Sequence, residues 1–243
     1  MFLQRAQETN TTYYHVKVLN TVVKRLQTHP HSLRYAHLGL KTEFLVLTDS
    51  AFKKEEDTGH ALKGTLILRR AKGPLASCNV HIVDYLTKRV GNVTRSTFSA
   101  ELFGLCDACD HALLLRQICH EFQNGPLTAS QARDLREGKT KSTVNMSIAI
   151  DAMSVFAAVT ASHVKIPSER SLLSHLQYVR ELLDRRVLES LTWLDTRDMA
   201  ADGMTKGSIA RDAITDCMNG SLTLNHSCKS WRPLVSLPSA AAE

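Results

Sequence analysis

Short apolar runs bounded by polar residues recur along this chain. Phe44–Thr48 leads directly into Asp49, and Met146–Ile150 leads into Asp151. Apolar runs of about four to eight residues are typical of buried strands. The pattern predicts strands at Glu43–Thr48, Ala61–Arg70, Asn79–Leu86, Met146–Ile150 and Leu188–Leu194. A charged turn at residues 53–59 separates the first two strands.

Other stretches repeat their apolar residues at helical spacing. A long helix is predicted at Phe98–Phe122, where Asn124, Gly125 and Pro126 end it. A short helix is predicted at Met153–Ser162, and a further one opens at Pro167 with Ser168 available as a cap. Its apolar stripe is Leu172, Leu176, Val179 and Leu183. Residues 127–142 are polar and predict a loop or a frayed helix, and a last helix is predicted to begin near Asp202.

The length and composition fit one compact domain with extensions at both ends. A chain of 243 residues with 43% hydrophobic content can bury a full core. We place this domain at residues 41–218, after a basic segment at 1–40. Residues 219–243 carry scattered Ser and Pro and predict a weakly ordered tail, with Trp231 as its large apolar residue.

No apolar stretch approaches the roughly 20 residues that a membrane-spanning helix needs. The start, Met1–Arg5, lacks the apolar region of a signal peptide. We therefore expect an intracellular chain, cytoplasmic or nuclear, with no membrane partner.

The formal net charge of +6 is unevenly placed. Residues 1–40 hold five basic side chains, Arg5, Lys17, Lys24, Arg25 and Arg34, against Glu8 alone. An amphipathic helix is predicted at Thr12–Gln27, with the basic residues off its apolar stripe of Val16, Leu19, Val22, Val23 and Leu26. This face suits a polyanionic partner such as a nucleic acid, and the alternative is an ordinary solvated helix face.

Four carboxylates stand out because of where they lie in these elements: Asp49, Glu101, Asp151 and Asp202. Glu101 shares the core-facing stripe of the long helix, where an unpaired charge is costly. Taken singly, each acid has a structural explanation as a cap, a helix-dipole partner or an ion-pair partner. Taken together, two acids from strand ends and two from helices can converge at one sheet edge. Hard divalent cations bind such all-oxygen sites.

The six cysteines form no paired metal-binding motif. Cys106 and Cys109, with His120 nearby, are a candidate ligand set. Small apolar packing in a reducing compartment explains them better.

Four passages resemble the ribonuclease H domain at the C-terminal end of copia-type retrotransposon Pol polyproteins. They are Leu47–Phe52, Arg95–Leu102, Ile150–Ala152 and Thr196–Lys206. The resemblance covers roughly residues 40–215, and the passages around Glu101 and Asp202 are its most specific parts. Residues 11–40 resemble the basic connecting helix that follows the reverse transcriptase in such polyproteins. The polymerase, integrase and protease motifs are absent from the sequence, which suggests a terminal piece of a retroelement or the product of a remnant.

The resemblance implies a ribonuclease H-like α/β fold, with a five-stranded mixed sheet flanked by helices. It implies hydrolysis of the RNA strand of RNA:DNA hybrids with two Mg²⁺ or Mn²⁺ ions. Asp49 would contact both ions, Glu101 and Asp151 would favour one, and Asp202 would help to hold the other. The partners it implies are the hybrid and the reverse transcriptase portion of the parent polyprotein. Candidate contacts to the nucleic-acid backbone are Lys88, Arg95, Ser96, Thr97 and Lys206.

Two departures and two alternatives stay open at this point. Many ribonucleases H carry a histidine just before the last acid, but here His175 is the nearest upstream. Asp198 lies four residues before Asp202 and could share or replace its role. The main alternative function is a catalytically inactive retroelement remnant that binds nucleic acid or protein. A related integrase or exonuclease fits less well, because an integrase would carry its last acid as a glutamate about 35 residues after the second.

Overall fold

The computed structural model describes residues 12–28, 32–52, 60–163, 167–207 and 210–233. The charged turn at 53–59, residues 1–11 of the basic segment and residues 234–243 of the predicted tail lie outside them. The chain divides into two compact units, residues 1–33 and 34–243. In the first unit, α1 spans Tyr13–Thr28 and confirms the predicted helix. None of its residues is buried, and the stripe residues Val16, Val22, Val23 and Leu26 are exposed.

The second unit contains seven strands and six helices among its described residues. The strands β1 to β7 are Thr42–Ala51, His60–Ala71, Cys78–Val93, Asn145–Ile150, Leu191–Leu194, Ser221–Leu222 and Cys228–Trp231. The helices α2 to α7 are Thr97–Asn124, Ala129–Arg136, Met153–Thr160, Leu173–Asp184, Asp202–Thr205 and Asp212–Met218. Two short 3₁₀ turns, Arg170–Leu172 and Thr196–Asp198, complete it.

The strands form one mixed sheet in the order β6-β3-β2-β1-β4-β5-β7. β1, β2 and β3 form an antiparallel meander, β4 pairs in parallel with β1, and β5 pairs in parallel with β4. The α/β class and the mixed sheet with flanking helices are thus confirmed. The predicted count of five strands is wrong, because the described residues form seven.

The two additional strands come from residues 219–243, which the sequence assigns to a weakly ordered tail. β6 pairs with β3, and β7 pairs with β5, so each closes one edge of the sheet. Both strands are short, and β7 is largely exposed. They therefore lack the alternation of apolar and polar residues that reveals a strand in sequence. Each is held in the sheet by its pairing with a neighbouring strand.

The sheet separates two hydrophobic clusters. On one face, Phe44, Val46 and Ile148 pack against α2, α4 and α5. On the other face, Leu45 and Leu47 pack against residues 199–201 and α7. The predicted stripe of the helix after Pro167 is confirmed, because its four residues are all buried. A strand with both faces covered is the setting in which a polar side chain needs a specific partner.

Several element boundaries differ from the sequence prediction. α3 occupies part of the stretch predicted as a loop or a frayed helix, and the Thr128–Gln131 capping box begins it. The helix expected at Pro167 begins as the 3₁₀ turn and becomes α-helical only at Leu173. The helix expected at Asp202 is the single turn α6, followed by α7. In the described residues, no helix combines the length and the apolar character that a membrane crossing requires.

Candidate metal centre

Three of the four predicted carboxylates meet at one place. Oxygen atoms of Asp49, Glu101 and Asp151 all lie within 4.8 Å of one another. Asp49 and Glu101 are buried, with 1% and 8% of their surface exposed, and Asp151 is half-buried. Within the described residues, they are the group of His, Cys, Asp or Glu side chains close enough to hold one ion. Cys106 and Cys109 lie in the apolar core instead.

The parallel pairing of β1 and β4 explains how Asp49 and Asp151 become neighbours. Leu47 is paired with Ala149, so the position two residues later on each chain carries an acid. Asp49 lies inside β1, which continues to Ala51, whereas Asp151 follows the last residue of β4. The side chains of adjacent parallel strands at the same register lie on the same face of the sheet.

Glu101 reaches the same place from α2. Ser96 caps the helix and forms a reciprocal capping box with Ser99, which fixes where the helix begins. Glu101 then lies in the second turn and accepts a hydrogen bond from the backbone N–H of Ser50. Gly104 permits the approach of α2 to β1, because a Cβ there would overlap the Ser50 hydroxyl.

Asp202 lies beside this triad, at the start of α6, and is 4% exposed. The ammonium of Lys206 connects it to Asp49: Nζ lies 2.8 Å from Asp202 Oδ1 and 3.3 Å from Asp49 Oδ1. The fourth predicted acid is therefore near the triad but joined to it through a lysine. Gly64 is paired with Asp49 across the β1–β2 ladder. Its missing Cβ would lie 2.8 Å from Thr205 Cγ2, so glycine permits α6 to lie this close to the sheet.

Two threonines hold the acids in place, and neither was predicted as a site residue. Thr205 donates its hydroxyl to Asp49 Oδ2. Thr196 donates its hydroxyl to Asp151 Oδ2 at 3.0 Å. The indole N–H of Trp193 also donates to the backbone carbonyl of Asp151 at 2.7 Å. Both threonines lie in the passage that resembles the ribonuclease H motif, so their position, though not their function, was visible in the sequence.

The carboxylates repel one another in a poorly solvated site. Burial, followed by the charges of Asp49 and Asp151, raises the pKa of Glu101 to about 9. Burial and the charge of Asp49 also raise the pKa of Asp151. Burial and the charge of Asp49 raise the pKa of Asp202 to about 7, although Lys206 acts in the opposite direction. All three pKa values are raised, as expected for buried carboxylates that lie near other negative charges.

The charge excess and the donor atoms both fit a hard divalent cation. Asp49 Oδ1 and Asp202 Oδ1 are buried without a well-oriented hydrogen-bond donor among the described residues, although both face the Lys206 ammonium. Within the part of the chain that the structure describes, the triad consists of carboxylates alone, without a histidine or cysteine. Mg²⁺ and Mn²⁺ prefer such oxygen sites, whereas zinc prefers nitrogen and sulfur.

Asp198 belongs to a different structure. Its Oδ2 accepts hydrogen bonds from the backbone N–H groups of Asn225 at 3.0 Å and His226 at 2.8 Å. Its Oδ1 lies 2.9 Å from His226 Nδ1. These contacts fasten the segment before β7 to the 3₁₀ turn that precedes α6. Asp198 is therefore engaged in holding this segment, and Asp202 is the acid that faces the site.

The predicted nucleic-acid contacts fall into two groups. Arg95, Ser96 and Thr97 are exposed at the start of α2, just before Glu101. Lys88 is exposed on β3 and lines a groove of about 620 Å³ between β3, α2 and α5. Lys206 differs from them, because its ammonium is directed into the acidic site and its side chain is 32% exposed.

His175 lines the groove beside Lys88. Its ring packs edge-on against Phe103, with 4.8 Å between the ring centroids. Its Nδ1 lies 3.3 Å from the carbonyl oxygen of Ser171 in the preceding turn. The histidine nearest upstream of Asp202 in sequence thus belongs to the groove wall.

Similar chains are found among the solved structures, and one of them is a ribonuclease H1. No protein-family model and no curated protein matches the chain. The solved structure is a ribonuclease H1 isolated from compost by a metagenomic approach, LC11-RNase H1. It is 10% identical in sequence, with a TM-score of 0.42, and the match covers 69% of this chain and 95% of that chain.

Proposed function

We propose that this chain is a metal-dependent endonuclease of the ribonuclease H type that hydrolyses the RNA strand of RNA:DNA hybrids. The observation that carries the proposal is the buried triad of Asp49, Glu101 and Asp151, with its oxygens within 4.8 Å of one another. The motif resemblance supports it independently, because each of the three acids lies in one of the matched passages. The strand and helix order also follows the order on which that resemblance depends.

The triad would hold Mg²⁺ or Mn²⁺, and Asp202 would take part in holding a second ion through its place beside Asp49. Bound cations would supply an activated water and stabilise the charge that develops on the leaving 3′ oxygen. Two ions are proposed because the motif resemblance implies two.

The chain's own residues prepare this site. Thr205 orients the Asp49 carboxylate, and Thr196 orients that of Asp151. Before a cation binds, the carboxyl group of Glu101 keeps its proton at neutral pH, because its pKa is about 9. The proton on Glu101 must leave when a cation binds there, so cation binding is expected to release protons at neutral pH.

The hybrid would be recognised by its shape, phosphates and 2′-hydroxyl groups, with little dependence on base sequence. Arg95, Ser96 and Thr97 are exposed next to Glu101 and are proposed to contact the nucleic-acid backbone on that side of the site. Lys88 is proposed to contact it further along β3.

The proposed origin is the C-terminal part of a copia-type retrotransposon Pol polyprotein. The exposed apolar stripe of α1 and its basic residues fit a connecting helix whose neighbour, the reverse transcriptase portion, would cover the stripe. The motif resemblance supports this assignment.

The test is cleavage of a labelled RNA:DNA hybrid by the purified chain in Mg²⁺ or Mn²⁺. Double-stranded RNA and double-stranded DNA serve as substrate controls. Asp151→Asn removes one ligand charge, and Asp184→Asn is the matched control because Asp184 is exposed on α5. We expect cleavage of the hybrid alone, lost in Asp151→Asn and kept in Asp184→Asn. If the folded chain binds the hybrid in the presence of either ion but does not cut it, the proposal is wrong and the alternative of a binding remnant replaces it.

A further inference from the structure

Lys206 occupies a position that neither a surface contact nor an ordinary ion pair explains. Its ammonium lies between two buried carboxylates, at 2.8 Å from Asp202 and 3.3 Å from Asp49. The side chains of these acids are 5% and 1% exposed, whereas that of Lys206 is 32% exposed. Asp49 belongs to the triad, and Asp202 is the nearest further acid. The lysine therefore lies between the two carboxylates that would share a second cation.

The local backbone makes this position specific. Lys206 follows α6 immediately, four residues after Asp202, so one helical turn stacks its side chain over that carboxylate. Its backbone N–H also donates to the carbonyl oxygen of Asp202 at 3.0 Å. The lysine and the acid are thus fixed to each other by both main chain and side chain.

The ammonium and a divalent cation would compete for the same oxygen atoms. Asp49 Oδ1 and Asp202 Oδ1, which face Lys206, are the two carboxylate oxygens of the site that are buried without a well-oriented hydrogen-bond donor in the described residues. A cation shared by these oxygens would meet the positive charge of Lys206 at close range, where two like charges repel strongly. Among the described residues, Lys206 forms ion pairs with Asp49 and Asp202 but none with Glu101 or Asp151. A cation held mainly by Glu101 and Asp151 would therefore repel the lysine less than a cation shared by Asp49 and Asp202.

We propose that Lys206 is an internal counter-ion that holds Asp202 against Asp49 and competes with the second divalent cation for this pair. This inference rests on the metal site of the proposed function. The triad binds the first cation while Lys206 stays in the site. The Asp49–Asp202 side binds a cation only when the lysine side chain withdraws. Its partial exposure and its flexible stem permit this withdrawal without movement of the backbone.

The inference makes a prediction that a purely structural lysine does not. If Lys206 only stabilises the fold, its removal lowers stability and leaves cation affinity unchanged or weaker. If it is a competing counter-ion, its removal destabilises the cation-free chain and tightens cation binding. The two effects have opposite signs in the same variant, which separates the two roles.

The experiment is a titration of the full chain with Mn²⁺, in which the electron paramagnetic resonance signal of free Mn²⁺ measures binding. Lys206→Met removes the charge, Lys206→Gln is a second neutral variant in case the first folds poorly, and Lys206→Arg keeps the charge. Lys139→Met is the matched control. Lys139 also lies near two carboxylates, those of Glu137 at 2.6 Å and Asp134 at 3.8 Å, but its side chain is 64% exposed.

We expect the wild type to bind one Mn²⁺ ion more tightly than a second. In Lys206→Met and Lys206→Gln the weaker affinity should rise by about tenfold or more, the equivalent of 1.4 kcal/mol. Both variants should also melt at a lower temperature than the wild type in EDTA, and Mn²⁺ should raise their melting temperature by more. Lys206→Arg and Lys139→Met should bind Mn²⁺ as the wild type does.

A neutral variant that binds Mn²⁺ no more tightly than the wild type would overturn the inference, as would a wild type that binds no Mn²⁺. Hybrid cleavage tests the proposed function separately. If the wild type cuts the hybrid and Asp151→Asn does not, but the neutral variants keep wild-type Mn²⁺ binding, the function stands and the counter-ion role is wrong. If the neutral variants bind Mn²⁺ more tightly but no hybrid is cut, the counter-ion role stands and the nuclease assignment falls.

Discussion

Replacing Glu101 with glutamine should stabilise the cation-free chain at alkaline pH. Glu101 is 8% exposed, and burial with the charges of Asp49 and Asp151 raises its pKa from the ordinary 4.5 to about 9. The native chain therefore keeps a proton on Glu101 that the unfolded chain releases above pH 4.5. Because the folded state binds more protons in this window, its stability falls as the pH rises from about 4.5 towards 9. Glutamine has nearly the same shape and carries no ionisable proton.

The size of the effect follows from the same pKa. Raising the pKa of Glu101 from 4.5 to about 9 lowers the stability of the folded chain by about 6 kcal/mol between these two pH values. Each tenfold change in the ionisation constant corresponds to about 1.36 kcal/mol. At pH 8 the destabilisation that glutamine avoids is at most about 5 kcal/mol. For a unit of this size, that difference would raise the melting temperature by roughly 10–20 °C. Close to pH 5 it should almost vanish.

The assay is thermal unfolding followed by circular dichroism, in EDTA, at pH 5 and at pH 8. Glu121→Gln is the control, because Glu121 lies on the same helix and accepts a hydrogen bond from Gln117 at 2.8 Å. Adding Mg²⁺ at pH 8 should narrow the gap between Glu101→Gln and the wild type, since a cation favours ionised Glu101. The reasoning is refuted if Glu101→Gln melts no higher than the wild type at pH 8 in EDTA, or if its gain is the same at pH 5.

Three further substitutions test how the site is built. Thr205→Val should lower the free energy of unfolding by about 1–3 kcal/mol, because it removes a buried donor to Asp49. Thr205→Ser keeps the hydroxyl and should not lower it. Equal midpoints of urea unfolding for Thr205→Val and the wild type would contradict this. Gly64→Ala should lower the free energy of unfolding by about 1–3 kcal/mol and reduce hybrid cleavage. Gly91→Ala should change neither stability nor cleavage, because the space around its Cβ is open. Wild-type cleavage in Gly64→Ala would contradict the role of the close approach at Gly64. Asp198→Asn should lower the melting temperature while Mn²⁺ binding stays as in the wild type, and a loss of Mn²⁺ binding would return Asp198 to the metal site.

The sequence predicts the triad because each of its acids interrupts or ends an apolar pattern. Glu101 is visible as a charge on the buried stripe of a helix, and Asp151 as the acid that follows a strand. The strand and helix order, together with the matched passages, suggested that the acids meet. What brings Asp49 and Asp151 side by side is the parallel pairing of β1 and β4, and the residues of one strand do not specify the register of another.

The motif resemblance favoured Asp202, but the sequence left Asp198 open as an alternative. The two acids lie one helical turn apart in the chain, and both follow β5. The structure separates them through backbone N–H groups of Asn225 and His226, which bind Asp198. These donors come from a segment whose composition suggested a tail. A contact between positions so distant in sequence leaves no local pattern, since any residue can supply a backbone N–H.

The geometry of the site depends on two glycines as much as on its carboxylates. Glu101 comes from the face of the sheet covered by α2, and Asp202 comes from the opposite face, at α6. Side chains from opposite faces of the sheet reach the same end of β1 only if both helices lie close to it. Gly104 permits the first approach, and Gly64, beside Asp49 in the neighbouring strand, permits the second. One added methyl group at either glycine would therefore disturb the site even with all four acids intact, so the two glycines belong to the site as much as the carboxylates do.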